Sequence, residues 1–105
     1  MAKQKIKDMP PERRPREKLL YEGSDTLSDV ELLAILIGSG TRDKSALDIA
    51  QELYDKFGGY RGLAERNLAE LMEIEGMGEA KAANIAAAYE IAARIVEMVL
   101  KDLDH

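Results

Sequence analysis

No cysteine occurs in the 105 residues. This excludes a disulfide framework and any thiolate-ligated metal centre. Tryptophan is absent too, and the aromatics amount to one phenylalanine and four tyrosines. The core therefore has to be built from Leu, Ile, Ala and Met. The single histidine, His105, is the last residue, a position where chains fray, and is read as neither base nor ligand. No apolar run reaches the length of a membrane span. The most apolar stretch, Ala82 to Leu100, is broken by Asn84, Glu90, Arg94 and Glu97. The N-terminus has no apolar signal segment. The expectation is a cytoplasmic protein without a membrane partner.

What is present suits one domain with a modest core of its own. Hydrophobic residues make up 46% and charged residues 33%, too apolar for a disordered chain. The net charge of −5 is unevenly spread. Residues 1–20 carry seven basic against three acidic residues, and the rest eight against seventeen. Residues 1–12, with Lys3, Lys5, Lys7, Pro10 and Pro11, read as a flexible basic arm.

Helix signals then follow in order. Pro15 suits a first helical turn, predicting a helix over about Pro15–Tyr21 that is docked by Leu19, Leu20 and Tyr21 and ended by Gly23. Ser28 and Glu31 have capping-box spacing, so a helix should start at Asp29 and stop at Gly38. Val30, Leu32, Leu33, Ile35, Leu36 and Ile37 make it apolar on nearly all sides, which predicts a central, buried helix. The next helix should cover Ala46 to Phe57, ended by Gly58 and Gly59. Tyr60 to Glu65 can form one turn with Leu63 inward.

Two glycine-containing turns separate these helices. Gly38-Ser39-Gly40-Thr41-Arg42-Asp43-Lys44-Ser45 has the composition of an anion-binding loop. It is no P-loop, because the Gly-Lys-Ser/Thr ending and the preceding strand are missing. The second turn lies at Glu75–Gly78. Asn67 and Glu70 predict a capping box before it, with Leu68, Leu71, Met72 and Ile74 as a short apolar face. Met77 should anchor the turn, and a long helix should start at Glu79. The first amides of that helix have no intrahelical acceptor and sit at the positive end of its dipole, a ready anion site. Gly76, Met77, Gly78, Ala80 and Lys81 are the primary candidate site for a phosphate backbone. Ser39, Gly40, Thr41, Arg42 and Lys44 are the secondary one. Glu73, Glu75 and Glu79 crowd the same turn, and an acidic body predicts weak binding to nucleic acid. In the last helix Ala80, Ala83, Ala87, Ala88 and Ala92 are small while Ile85, Ile91, Ile95, Val96 and Val99 are bulky. The alanines are read as a packing stripe that sets this helix across Asp29–Ile37 and Ala46–Phe57.

Ile74-x-Gly76-Met77-Gly78-x-x-Lys81-Ala82-x-x-Ile85 resembles the helix-hairpin-helix motif of DNA-binding proteins. The motif implies sequence-independent contact of the hairpin amides with the nucleic-acid backbone, and in some members a monovalent cation shared by the hairpin carbonyls. Over a longer span, several segments resemble the N-terminal region of the RadC family. They are Arg14-Pro15-Arg16-Glu17-Lys18-Leu19-Leu20, Leu27-Ser28-Asp29-Val30-Glu31-Leu32-Leu33-Ala34-Ile35-Leu36, Gly38-Ser39-Gly40-Thr41, Lys44-Ser45-Ala46-Leu47-Asp48 and Gly76-Met77-Gly78-Glu79-Ala80-Lys81-Ala82. That resemblance runs from about Met9 to Ile95. It implies a link to DNA repair by name and a partner C-terminal JAB/MPN domain carrying a His-x-His zinc hydrolase-like site. This chain has no His-x-His, so no zinc chemistry transfers to it. The layout is also similar to base-excision glycosylases, but Lys101 and Asp102 lie too far along for a catalytic pair beside the hairpin. SAM domains, which serve protein association, share the five-helix layout.

The sequence thus predicts an all-α, five-to-six-helix, SAM-like bundle over 13–100, with 101–105 fraying toward a second domain. No catalytic or metal-binding residues are assigned. The first function is weak, nonspecific binding to DNA backbone. The alternative is a protein-interaction or intramolecular docking module for a JAB/MPN domain.

Overall fold

The computed structural model describes residues 14–104. The basic arm expected over residues 1–12 and the last residue, His105, lie outside the described residues; of the fraying expected over 101–105, Lys101–Leu103 instead continue the last helix. Among the described residues six α-helices follow one another: α1 (Pro15–Glu22), α2 (Asp29–Ile37), α3 (Ala46–Phe57), α4 (Gly59–Ala64), α5 (Leu68–Leu71) and α6 (Glu79–Leu103). A 3₁₀ turn at Ser24–Thr26 joins α1 to α2. There is no strand among the described residues, so the all-α expectation holds.

The helix starts are local chemistry. Three begin with reciprocal capping boxes, each tying up two amides that lack an intrahelical acceptor. At α2, Glu31 N donates to Ser28 Oγ (3.1 Å) and Ser28 N to Glu31 Oε1 (2.9 Å). At α3, Asp48 N donates to Ser45 Oγ (3.1 Å) and Ser45 N to Asp48 Oδ2 (3.0 Å). At α5, Glu70 N donates to Asn67 Oδ1 (2.8 Å) and Asn67 N to Glu70 Oε1 (3.1 Å). The helix ends fall on glycines, Gly23 after α1, Gly38 after α2 and Gly58 after α3.

The core is small and aliphatic. Ile49, Leu53, Leu63, Leu71 and Ile85 are its largest fully buried side chains, joined by Leu33, Ala34, Ile37 and Met77. Helix α2 is the hub, packed against α1, α3 and α6. Three expectations about this packing are corrected. Only Leu33, Ala34 and Ile37 of α2 are buried, so the helix turns one face inward and is not enclosed all round. Helix α6 rests mainly on α2 and α5, while α3 packs on α2 and α4. The buried residues of α6 are Ala82 and Ile85, whereas Ala80, Ala83, Ala87 and Ala92 of the stripe are exposed. Apolarity marks which residues can be buried, whereas helix length and crossing point decide which are. Helix α1 differs too. Leu20 and Tyr21 are exposed, and the helix is held through buried Pro15 and a 3.3 Å Lys18–Glu31 ion pair.

The three tyrosines beyond α1 knit the helices together. Tyr54 Oη donates to Asp29 Oδ2 (2.8 Å), Tyr60 Oη to the Asp29 carbonyl (2.9 Å) and Tyr89 Oη to the Tyr60 carbonyl (3.0 Å). The rings of Tyr54 and Tyr60 meet edge to face, with centroids 5.8 Å apart. Burial comes first among the causes that push the Tyr60 hydroxyl up to about 12, followed by the Asp29 charge.

Candidate nucleic-acid interface

Helix α5, the Glu75–Gly78 turn and α6 form an αα-hairpin, and its sequence makes the turn directly. Ile74 N closes on the Leu71 carbonyl (3.4 Å) and Met77 N on the Ile74 carbonyl (3.0 Å). The Met77 side chain is buried, as an anchor should be. The two glycines then differ. Gly76 has φ +97°, and a Cβ there would stand 2.8 Å from Ile49 Cδ1 and 3.0 Å from Thr41 Cγ2. It faces the core and the first glycine loop. Gly78 is extended, with open space around its Cα, and is the N-cap of α6.

Having no side chain, Gly78 leaves α6 without the box that closes α2, α3 and α5. The first hydrogen bond of α6 runs from Ala82 N to the Gly78 carbonyl (3.0 Å). The amides of Glu79, Ala80 and Lys81 therefore precede the helical ladder at the dipole's positive end.

Folding brings the two glycine loops to the same end of the domain. Thr41 N donates to the Lys44 carbonyl (2.7 Å) and Lys44 N to Thr41 Oγ1 (3.2 Å), closing the first loop on itself. A Cβ at Gly40 would overlap the Lys44 carbonyl. Three contacts then bridge the loops: Lys81 Nζ donates to the Ser39 carbonyl (2.7 Å), Lys44 Nζ lies 3.6 Å from Glu75 Oε2, and Thr41 meets Gly76. Lys44 also pairs with Glu52 at 2.9 Å. The Glu52 hydrogen bond, aided by both carboxylate charges, holds the Lys44 ammonium above its ordinary range.

The primary and secondary candidate residues thus stand side by side, but their cations are engaged within the protein. Lys81 is a strut between loops, and Lys44 is shared by two carboxylates. Met77 offers neither its side chain nor its amide. Arg42 is exposed and makes no hydrogen bond or ion pair among the described residues. Glu75 and Glu79 are exposed at the same mouth. Sequence reading missed Glu52 and the tyrosine–Asp29 network. Their contacts span 8, 25, 31 and 29 residues, and no periodic pattern announces them. Among the described residues no group of three or more His, Cys, Asp or Glu side chains could hold a metal ion. No helix among them is long and apolar enough to cross a membrane.

A protein from Carboxydothermus hydrogenoformans is 47% identical over 95 residues, covering 90% of this chain and 42% of the relative. One from Desulforudis audaxviator is 49% identical over 89 residues, covering 85% and 39%. One from Geotalea uraniireducens is 52% identical over 91 residues, covering 85% and 40%. Each is named only as a UPF0758 protein, and this chain spans about two fifths of their length. No solved structure matches. The model of the UPF0758 N-terminal family matches residues 6–83, which takes in both glycine loops, all three capping boxes and the uncapped start of α6. The chain belongs to the UPF0758 N-terminal family.

Proposed function

We propose that this domain is a non-enzymatic module that contacts DNA backbone weakly and without sequence preference at the end where its two glycine loops meet. The observation that supports this reading is the open start of α6. The amides of Glu79, Ala80 and Lys81 meet no acceptor among the described residues, and the neighbouring loop bears an exposed, free Arg42. A phosphate oxygen can accept from such amides and gain from the dipole. The likeness of Ile74–Ile85 to the helix-hairpin-helix motif, and of the longer segments to the RadC family, points the same way. Affinity is low because Glu75 and Glu79 border the site and Lys44 must leave Glu52 to help. The monovalent cation implied by the hairpin resemblance would share carbonyls of this turn; the Ile74 and Gly78 carbonyls each accept one amide there, from Met77 and Ala82, and no step depends on a cation.

Amide NMR shifts recorded during titration with a short duplex at low salt test the reading. Shifts confined to Glu79–Ala82 and Arg42–Lys44, and diminished by Arg42→Glu, are expected. Neutralising about two phosphates predicts roughly a tenfold loss of affinity between about 50 and 200 mM salt. An unchanged spectrum at high micromolar DNA excludes the proposal.

A second reading, a docking module for another protein surface such as a JAB/MPN domain, is favoured by a different observation. The distal half of α6 carries a large exposed apolar face, of a kind that usually marks an interaction site.

A further inference from the structure

The globular body covers α6 only as far as Tyr89, and residues 91–103 are exposed throughout. Among them Ile91, Ile95, Val96, Met98, Val99, Leu100 and Leu103 are each more than half exposed. At about 100° per residue these seven occupy an arc of roughly 200°. Glu90, Arg94, Glu97 and Lys101 gather on the opposite side. They pair along the helix, Arg94 with Glu90 at 2.9 Å and Lys101 with Glu97 at 3.8 Å. Asp102 falls inside the apolar arc, between Ile91 and Ile95 on the helix surface. Toward the body the arc continues through Ala88 and Ala92 into a groove between α2 and α6, lined also by Leu32, Leu36, Tyr60 and Tyr89.

Resting on the docking reading, we propose that the surface covering this face is a second copy of the chain, with the two α6 overhangs paired antiparallel about a two-fold axis between Ile95 and Val96. The pattern is self-complementary in that register. Ile95 and Val96 meet their counterparts at the axis, Ala92 faces Val99 of the second copy and Ala88 its Leu103, while Ile91 and Leu100 flank the seam on opposite sides. Small residues face large ones where the helices must approach, and every charged residue of the outer face stays in water. From Ile91 to Leu103 the helix rises about 18 Å, which keeps the two bodies apart in this register. Leu103 of each copy then sits at the mouth of the other's groove. The contact is isologous, so it closes at two copies.

Sedimentation of the 105-residue chain from roughly 10 to 500 μM, the range of a weak interface, tests this. The mass should rise toward twice 11.7 kDa. Val96→Glu, which sets two carboxylates together at the axis, should return the monomer with helix content unchanged, since Val96 is exposed in the single chain. With no native cysteine to interfere, orientation is read by cross-linking. Val96→Cys should form a disulfide-linked dimer, and Ala88→Cys mixed with Leu103→Cys a mixed one, while Leu103→Cys alone should not. A monomer across the range, a dimer indifferent to Val96→Glu, or efficient self-linking of Leu103→Cys overturns the proposal. If the chain is monomeric and the matching helix of the longer Carboxydothermus protein is protected from hydrogen exchange, the second copy is refuted and the docking reading stands. Absence of protection there as well refutes both.

Discussion

Replacing Gly76 by alanine separates two glycines that look equivalent in the Gly-Met-Gly run. At φ +97° an alanine bears a left-handed backbone cost of roughly 1–2 kcal/mol. Its Cβ also lands 2.8 Å from Ile49 Cδ1 and 3.0 Å from Thr41 Cγ2. Ile49 has no exposed surface and cannot swing aside, so overpacking adds about 1–3 kcal/mol. The expected destabilisation is about 2–5 kcal/mol, a large part of the roughly 5–15 kcal/mol that holds a domain of this size. Gly78→Ala is the control. Its φ is −87° and nothing lies within 4 Å of the added Cβ. The loss of unfolded-chain entropy, about 0.4–1 kcal/mol in favour of alanine, roughly offsets alanine's poorer N-cap. Urea unfolding followed by circular dichroism should show a lower Cm at unchanged m for Gly76→Ala and almost no change for Gly78→Ala. If the two variants agree within about 0.5 kcal/mol, the assignment of Gly76 to packing between the loops is wrong.

Other expectations are smaller. Lys81→Met removes the strut to the Ser39 carbonyl and should cost about 1 kcal/mol; faster hydrogen exchange at Thr41 N, with α3 unaffected, would confirm it. Asn67→Ala and Ser45→Ala each break a capping box and should each cost about 1 kcal/mol in urea unfolding. They should add, because they lie in separate helices. The Tyr60 hydroxyl is raised from an ordinary value of 10 to about 12, so the folded state favours its neutral form. That contribution is whole below pH 10 and is lost as pH climbs toward about 12. Alkaline titration by tyrosinate absorbance should show Tyr60 ionising late, with unfolding over the same window. Ionisation of every tyrosine near pH 10 in a still-folded chain would contradict it.

Much of the fold could be read from local residues. The starts of α2, α3, α5 and α6 and the ends of α1, α2 and α3 fall within a residue of where Ser28, Ala46, Asn67, Glu79, Gly23, Gly38 and Gly58 place them. The Ser45–Asp48 box went unread although its spacing matches that of Ser28–Glu31, because Asp stands where Glu or Gln is the usual signal. What could not be read is the use of each apolar face. Leu20, Tyr21 and the distal half of α6 carry the same residue types as the core, and only the crossing of α6 over α2 and α5 shows that the body ends near Tyr89. At the candidate site the two glycine loops were legible in the sequence and the state of their cations was not. Lys44 and Lys81 read as free cations, yet their partners are Glu52, Glu75 and the Ser39 carbonyl.

The sequence by itself determined the helices and their limits, because caps, glycine stops and helical periodicity act over three or four residues of chain. Only the tertiary structure decided that the two glycine loops share one end of the domain, that Gly76 is a packing residue and Gly78 an open helix start, and that half of α6 stands clear of the body. Those outcomes depend on contacts between residues tens of positions apart. They are selected by how helices of given length and side-chain volume fit around one small core, and no local pattern encodes that fit.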